Sequence, residues 1–297
     1  MKKPTLLEIL IVAVVTSSIM MASGGMSIRS PITTSMQDAE TVTQHMIARV
    51  APAIGTTLAL MAARAEAATA TPSASEIIER MERNTDFETV YYEARMEISQ
   101  RGRVNTKTMR AWADEDGRAL IEFTNKRDLG TRILKIGDDL WLFSPTADEE
   151  VRLSGEMLNQ GLMGSDFSYQ DALESERLTD LYESTVVGIE ELDGRPCYVL
   201  ELVAREGAKV SYYRRKMWVD TERYLGLREE LYAPSGKLLK QSSTVRIEKI
   251  GERYYPMEVI MEDMTRKESS TRLVIENIVF DRPIPDDTFT RQRLTAR

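Results

Sequence analysis

The sequence predicts a mainly β protein with some α: an unclosed antiparallel β-barrel, a half-barrel of about 11–12 strands covered by helices. Three observations carry that expectation. From Glu88 to Phe280 apolar and polar residues alternate with period two over most of the length. Turn formers such as Asp116-Gly117, Asp193-Gly194 and Pro234-Ser235-Gly236 interrupt the alternation at intervals too short for helical crossovers. One stretch, Met163–Glu174, breaks the alternation with a glycine-flanked aromatic turn leading into a helix. An antiparallel sheet this long curls, splits or closes, so a curved sheet wrapped over a few helices is economical.

The N-terminus reads as a targeting region. Leu6–Met21 is apolar after Lys2 and Lys3, but it carries Glu8 and lacks a small-residue cleavage site. A second stretch has the complete signal-peptide pattern: Met46 as an alternative start, basic Arg49, apolar Val50–Ala63, then Ala65-Glu66-Ala67. Cleavage is expected near Ala67, making residues 1–67 a targeting segment and residues 68–297 a single exported domain. The competing reading is a membrane anchor in the first stretch followed by a linker. Cleavage would leave a net charge of −9, against −8 for the whole chain of 297 residues. That acidic balance argues against a nucleic-acid partner. Cys197 is the one cysteine, so no internal disulfide forms, and none lies where N-terminal lipidation would need it. A soluble exported protein is expected.

Taken in order, Ser73 and Glu76 form a capping box for a helix with Ile77, Ile78 and Met81 on one face, ending near Asn84. Val90, Tyr92, Ala94, Met96 and Ile98 then mark a long half-buried strand. Hairpins follow over Thr106–Ala113, Arg118–Thr124, Thr131–Ile136 and Leu140–Phe143, until Ser144-Pro145 ends the run. In the break, Ser168 and Asp171 form a second capping box, with Phe167 and Ala172 at staple positions. The meander resumes over Thr185–Ile189, Pro196–Val203, Val210–Asp220, Leu225–Tyr232, Leu238–Ile250, Tyr254–Met264 and Thr271–Phe280. Pro285–Phe289 reads as a helical turn docked by Phe289.

The chemistry is limited by what is missing. His45, the single histidine, lies in the expected targeting segment, so the mature chain has no histidine for a nucleophilic triad or a zinc site. Cys197 lies in a strand alternation and reads as a buried, inert thiol. Asp114-Glu115-Asp116-Gly117 lacks the spacing of a calcium loop and reads as an acidic hairpin turn. No glycine-rich phosphate motif is present. No catalytic residue, metal ligand or cofactor is assigned, and an enzyme is not expected. The positive signal is apolar: Trp141 and Phe143 share one strand face, Met217 and Val219 share another with Trp218 opposite. Methionine and aromatic residues suit an adaptable apolar cavity, and equally an ordinary sheet core.

Gly130-Thr131, Trp141-Leu142-Phe143-Ser144-Pro145, Gly164-Ser165-Asp166-Phe167-Ser168-Tyr169, Met217-Trp218-Val219-Asp220 and Ile284-Pro285-Asp286-Asp287-Thr288-Phe289 occur in that order. Together with the exported N-terminus they resemble the outer-membrane lipoprotein-sorting proteins of the LolA/LolB-like superfamily, over roughly residues 73–294. The resemblance implies an unclosed barrel whose apolar concave face, covered by a helical lid, holds acyl chains of lipoproteins or free lipid in transit between the inner and outer membranes. An inner-membrane lipid exporter is the partner it suggests. Trp141, Phe143, Met163, Phe167, Tyr169 and Trp218 are the candidate ligand-binding residues at the cavity and lid. Arg132 and Arg152 are candidates for the arginine that holds such a lid shut. Two other readings stay open: an envelope-stress lipoprotein sensor or regulatory module of the same fold, and a carboxylate-based hydrolase.

Overall fold

A capping box begins the first helix, as the Ser73/Glu76 spacing requires. In the computed structural model, which describes residues 71–173 and 178–296, α1 spans Ala74–Arg83. The Ser73 amide donates to the Glu76 carboxylate at 2.8 Å, and the Glu76 amide donates back to Ser73 Oγ at 3.3 Å. Ile77, Ile78 and Met81 are buried on one face. Asn84 then fixes the exit: its amide donates to the carbonyls of Arg223 and Tyr224 and its oxygen accepts from the Tyr254 amide. The expected targeting segment and its cleavage point at Ala67 lie outside the described residues.

Thirteen strands form one antiparallel, unclosed sheet. They are β1 (Thr89–Gln100), β2 (Arg103–Asp114), β3 (Ala119–Phe123), β4 (Arg132–Ile136), β5 (Asp139–Ser144), β6 (Glu149–Leu153), β7 (Tyr182–Leu192), β8 (Arg195–Ala204), β9 (Arg214–Asp220), β10 (Gly226–Tyr232), β11 (Leu238–Ile250), β12 (Arg253–Asp263) and β13 (Ser269–Phe280). The spatial order is β6-β5-β4-β3-β2-β1-β13-β12-β11-β10-β9-β8-β7. The chain therefore enters at the centre and meanders out to one edge at β6. It reappears at the opposite edge as β7 and meanders back until β13 pairs with β1. Among the described residues, one connection links the two edges of the sheet, the segment between Leu153 and Tyr182. The strand beyond the expected twelve is β6, whose Glu-Glu-Val-Arg-Leu has too little alternation to stand out after Pro145.

Side-chain alternation divides the sheet into an inner face, on which α1 packs, and an outer face. Val90, Tyr92, Ala94, Met96 and Ile98 of β1 lie inside with Met109 and Ala111 of β2, Ile121 and Phe123 of β3, and Met257, Val259 and Met261 of β12. A neighbouring inner cluster packs Ile77, Ile78 and Met81 of α1 on Leu200, Leu202, Met217 and Val219. On the outer face Leu120, Leu134 and Phe143 are covered by Phe289 and Leu294 of the C-terminal segment. There the expected Pro285–Phe289 turn forms, with the Thr288 amide donating to the Pro285 carbonyl at 2.9 Å. A short helix α4 (Arg291–Thr295), capped by Thr290, follows it.

Candidate functional site

The edge-to-edge segment is built of tight local turns. Two 3-10 turns, Gly155–Met157 and Leu162–Gly164, precede α2 (Tyr169–Leu173) and α3 (Leu178–Leu181). The Leu162 amide donates to the Phe167 carbonyl at 2.6 Å, and Gly161 pairs with Ser168 as an isolated β-bridge. The closure leaves no room at Gly161, where a Cβ would stand 2.0 Å from the Ser165 carbonyl oxygen. Met163 holds a left-handed conformation at φ 50°, and its amide donates to the Tyr169 hydroxyl at 3.2 Å. The expected capping box is present: the Ser168 amide donates to Asp171 at 2.8 Å and the Asp171 amide to Ser168 Oγ at 3.1 Å.

Two buried carboxylates fasten this segment to the inner face. Asp166 accepts from Ser269 Oγ at 2.5 Å and Thr271 Oγ1 at 2.6 Å, both on β13, while its own amide donates to Thr271 Oγ1 at 2.9 Å. Asp171, besides its capping bond, accepts from the Tyr212 hydroxyl at 2.8 Å and from Lys240 Nζ on β11 at 2.9 Å. Gln100, at the end of β1, donates to the Gly164 carbonyl at 3.0 Å. Behind Asp171 the polar chain continues. Tyr182 donates to the Tyr212 carbonyl at 2.8 Å, and Arg215 lies over both tyrosine rings, 3.3 Å from Glu229. A buried charge is tolerated only when it is compensated, and Arg215 and Glu229, both buried, form an ion pair with each other. Between the two carboxylates, Phe167 and Tyr169 are inserted into the inner-face core with Leu162 and Ala172. Burial raises the Tyr169 phenol above the ordinary tyrosine range, so it stays a neutral hydroxyl.

Three of the six candidate residues meet here and three do not. Phe167 and Tyr169 are buried in the inner core, and Met163 packs against it. Phe143 and Trp141 lie on the outer face beneath Phe289 and Leu294. Trp218 is also outside, with Cys197, Val199 and Leu227, its indole N–H donating to Glu190 at 2.7 Å. Alternation fixes which residues share a face but not which face turns inward; the cross-strand register decides that. Among the described residues, the bonds of the two candidate lid arginines go elsewhere. Arg132 donates to the Leu294 and Ala296 carbonyls and so holds the C-terminal tail, and Arg152 pairs with Asp139. The residues that hold the segment, Asp166, Thr271 and Lys240, carry no local sequence signal of that role. Asp171 had one, as a capping residue.

The acidic turn is closed by its own arginine, with Asp114 accepting from the Arg118 amide at 3.0 Å and from its guanidinium at 2.7 Å. Among the described residues no cluster of three or more His, Cys, Asp or Glu could hold a metal ion. Cys197 is buried, and burial pushes its thiol up to about 11. No helix among the described residues is long and apolar enough to cross a membrane.

Comparison with known proteins places this geometry. A DUF1329 family protein from Desulfovibrio piger ATCC 29098 superposes with a TM-score of 0.68 at 27% identity, covering 74% of this chain and 96% of that one. An outer membrane lipoprotein-sorting protein domain from Vibrio parahaemolyticus gives a TM-score of 0.66 at 23% identity, over 74% and 97% of the two chains. A LolA superfamily protein from Nitrosomonas europaea gives 0.62 at 24% identity, over 75% and 100%. In sequence, the sigma-E factor regulatory protein RseB of Escherichia coli K12 is 27% identical over 175 residues, 59% of this chain and 51% of RseB. The chain thus spans about half the length of the curated relatives it matches. A family model described as "Uncharacterized protein" matches residues 115–296. The chain belongs to that family, and its fold is the unclosed barrel of the LolA/LolB-like superfamily.

Proposed function

We propose that this protein is a periplasmic carrier that binds acyl chains of lipoproteins or free lipid on its inner face and moves them between the membranes. The observation that carries the reading is the fastened segment between β6 and β7. It places Phe167 and Tyr169 on an apolar face and fastens them there through the polar contacts of Asp166, Asp171 and Gln100. An acyl chain entering beneath it gains about 0.8 kcal/mol per buried methylene. It also displaces the apolar groups of the cover, so burial is exchanged for burial and the net change stays small. A carrier needs that near balance, because a membrane or partner must be able to reverse it. The sorting proteins of the same fold support the reading. Export through the 1–67 segment and delivery from an inner-membrane lipid exporter belong to the same proposal.

The test is native mass spectrometry of the purified chain before and after lipid extraction, followed by titration with a fluorescent fatty acid. Adduct masses that disappear on extraction, and saturable uptake of the probe, are expected. A chain that carries no lipid and takes up no acyl probe would overturn the reading. The similarity to RseB favours a second reading, a regulatory module that senses lipoproteins through the same face. It differs in outcome: a sensor retains the acyl ligand when mixed with acceptor vesicles, whereas a carrier releases it.

A further inference from the structure

The open end of the inner face is cationic, although the chain as a whole carries a net charge of −8. A recess of about 980 Å³ lies there, between the β1–β2 and β12–β13 hairpins. Four of its lining residues are Arg101, Arg103, Arg266 and Lys267; the others, Gln100, Thr265 and Ser269, are neutral. The placement follows from register. Arg103 pairs with Gln100 and Gln100 pairs with Ser269, so three adjacent strands end at one level with these residues side by side. Strand parity puts them on the same face as Ile98 and Thr271, at the rim of the inner face. The turn Arg101-Gly102, with φ of 50° and 73°, has the double left-handed geometry of a tight hairpin and sets Arg101 at the tip. Of the four cations, Arg266 is partly neutralised by Asp263, 3.1 Å from its Nε. Glu262, Asp263 and Glu268 line the neighbouring recess, which shares Arg266 and Ser269 with this one.

Two lining residues of the cationic recess also touch the cover. Gln100 donates to the Gly164 carbonyl, and Ser269 donates to Asp166. The recess therefore adjoins the point where a chain threaded beneath the cover would emerge. Resting on the acyl-binding reading above, we infer that this recess takes the phosphate of a lipid headgroup, so that the cargo is a phosphate-bearing lipid whose acyl chains lie on the inner face. Guanidinium groups suit such a ligand, since each presents a planar fork of donors matched to phosphate oxygens, and such charge-assisted bonds are about twice as strong as neutral ones. A headgroup bound by Gln100 or Ser269 competes directly for the groups that fasten the cover, which links headgroup arrival to cover release.

The experiment compares dihexanoyl phosphatidic acid, dihexanoylglycerol and inorganic phosphate as ligands of the full chain by calorimetry, at low and at moderate ionic strength. The variants are Arg101→Gln/Arg103→Gln/Arg266→Gln/Lys267→Gln and the charge-keeping Arg101→Lys/Arg103→Lys/Arg266→Lys. All four positions are exposed, so both variants are expected to fold, which circular dichroism checks. Phosphatidic acid is expected to bind the parent roughly tenfold tighter than dihexanoylglycerol. That preference is lost in the neutral variant, largely kept in the lysine variant, and weakened by salt. Equal affinity for the two lipids in the parent would overturn the headgroup site while leaving the acyl-binding reading intact. Inorganic phosphate binding as tightly as phosphatidic acid would overturn it in favour of a free-anion site. Failure of both lipids to bind would overturn this inference together with the reading it rests on.

Discussion

Asp166 and Thr271 are bonded twice: the carboxylate accepts from the threonine hydroxyl at 2.6 Å, and the Asp166 amide donates to the same oxygen at 2.9 Å. One residue belongs to the segment crossing between the free edges, the other to the central strand β13, and both are buried. The pair is thus a direct fastening of cover to sheet. Thr271→Val removes the hydroxyl that serves both bonds and leaves the carboxylate with Ser269. Since hydrogen bonds to charged groups contribute about 1.5–3 kcal/mol each, a loss of roughly 2–4 kcal/mol in the opening of the cover is expected. Hydrogen exchange should show it as faster exchange at the amides of Leu162, Asp166 and Tyr169, with β1 and β13 unchanged. Acceleration spread evenly over the sheet would instead make the contact part of the global fold.

Phe167 and Tyr169 carry a second prediction. Both are inserted in the inner-face core, so Phe167 is more than the staple of a capped helix. Phe167→Ala/Tyr169→Ala should cost on the order of 3–5 kcal/mol if the cover unfolds with the sheet. If the cover opens independently, global stability changes little and exchange of a bound fatty-acid probe accelerates. The reading of the segment as a movable cover predicts the second outcome, measured by denaturant unfolding alongside stopped-flow displacement of the probe. Lost stability with unchanged probe exchange would make it a fixed part of the core.

Much of this was legible in the sequence, because local rules govern it. Val90 to Ile98 alternates without error, and both capping boxes, Ser73/Glu76 and Ser168/Asp171, are short-range geometry written in residue spacing. What escaped the sequence depends on distant partners. Nothing near Asp166 announces that its hydroxyl donors stand more than a hundred positions away on β13. The face that Trp141, Phe143 and Trp218 present was undecidable locally, since a one-residue change of register exchanges inside for outside. The cationic recess was invisible for the same reason: Arg101 and Arg103 meet Arg266 and Lys267 only through the pairing of β1 with β13.

The pair Lys107 and Asp128 gives the fold a specific acid sensitivity. Burial by itself pushes the Asp128 carboxyl up, but hydrogen bonds from the Lys107 ammonium and the Asn125 amide, each at 2.7 Å, outweigh it and leave the group below its ordinary value of 3.8. A carboxylate depressed in the folded state stabilises above its unfolded value, and that contribution is lost as pH falls through the folded one. Asp128→Asn leaves Lys107 buried without its counter-charge, which should cost about 3 kcal/mol at neutral pH. The gap between parent and variant should narrow below about pH 4. Urea unfolding across that range checks it; a pH-independent gap would assign the loss to packing instead.

The three tryptophans provide the sharpest check on which face binds. Trp112 and Trp141 pack with the outer cluster under Phe289, and Trp218 lies outside with Cys197 and Leu227. The buried aromatic residues of the inner-face core are Phe87, Tyr92, Phe123, Phe167, Tyr169, Tyr212 and Tyr255. Bromine quenches an indole only near contact, and the sheet backbone separates the two faces. A brominated fatty acid bound on the inner face is therefore expected to leave tryptophan emission almost unchanged. Placing a reporter inside reverses this. Phe167→Trp should be quenched strongly by the same ligand, because its indole would lie among the groups the acyl chain touches. Quenching of the parent protein equal to that of Phe167→Trp would move the binding surface to the outer face, beside Trp141, Phe143 and Trp218.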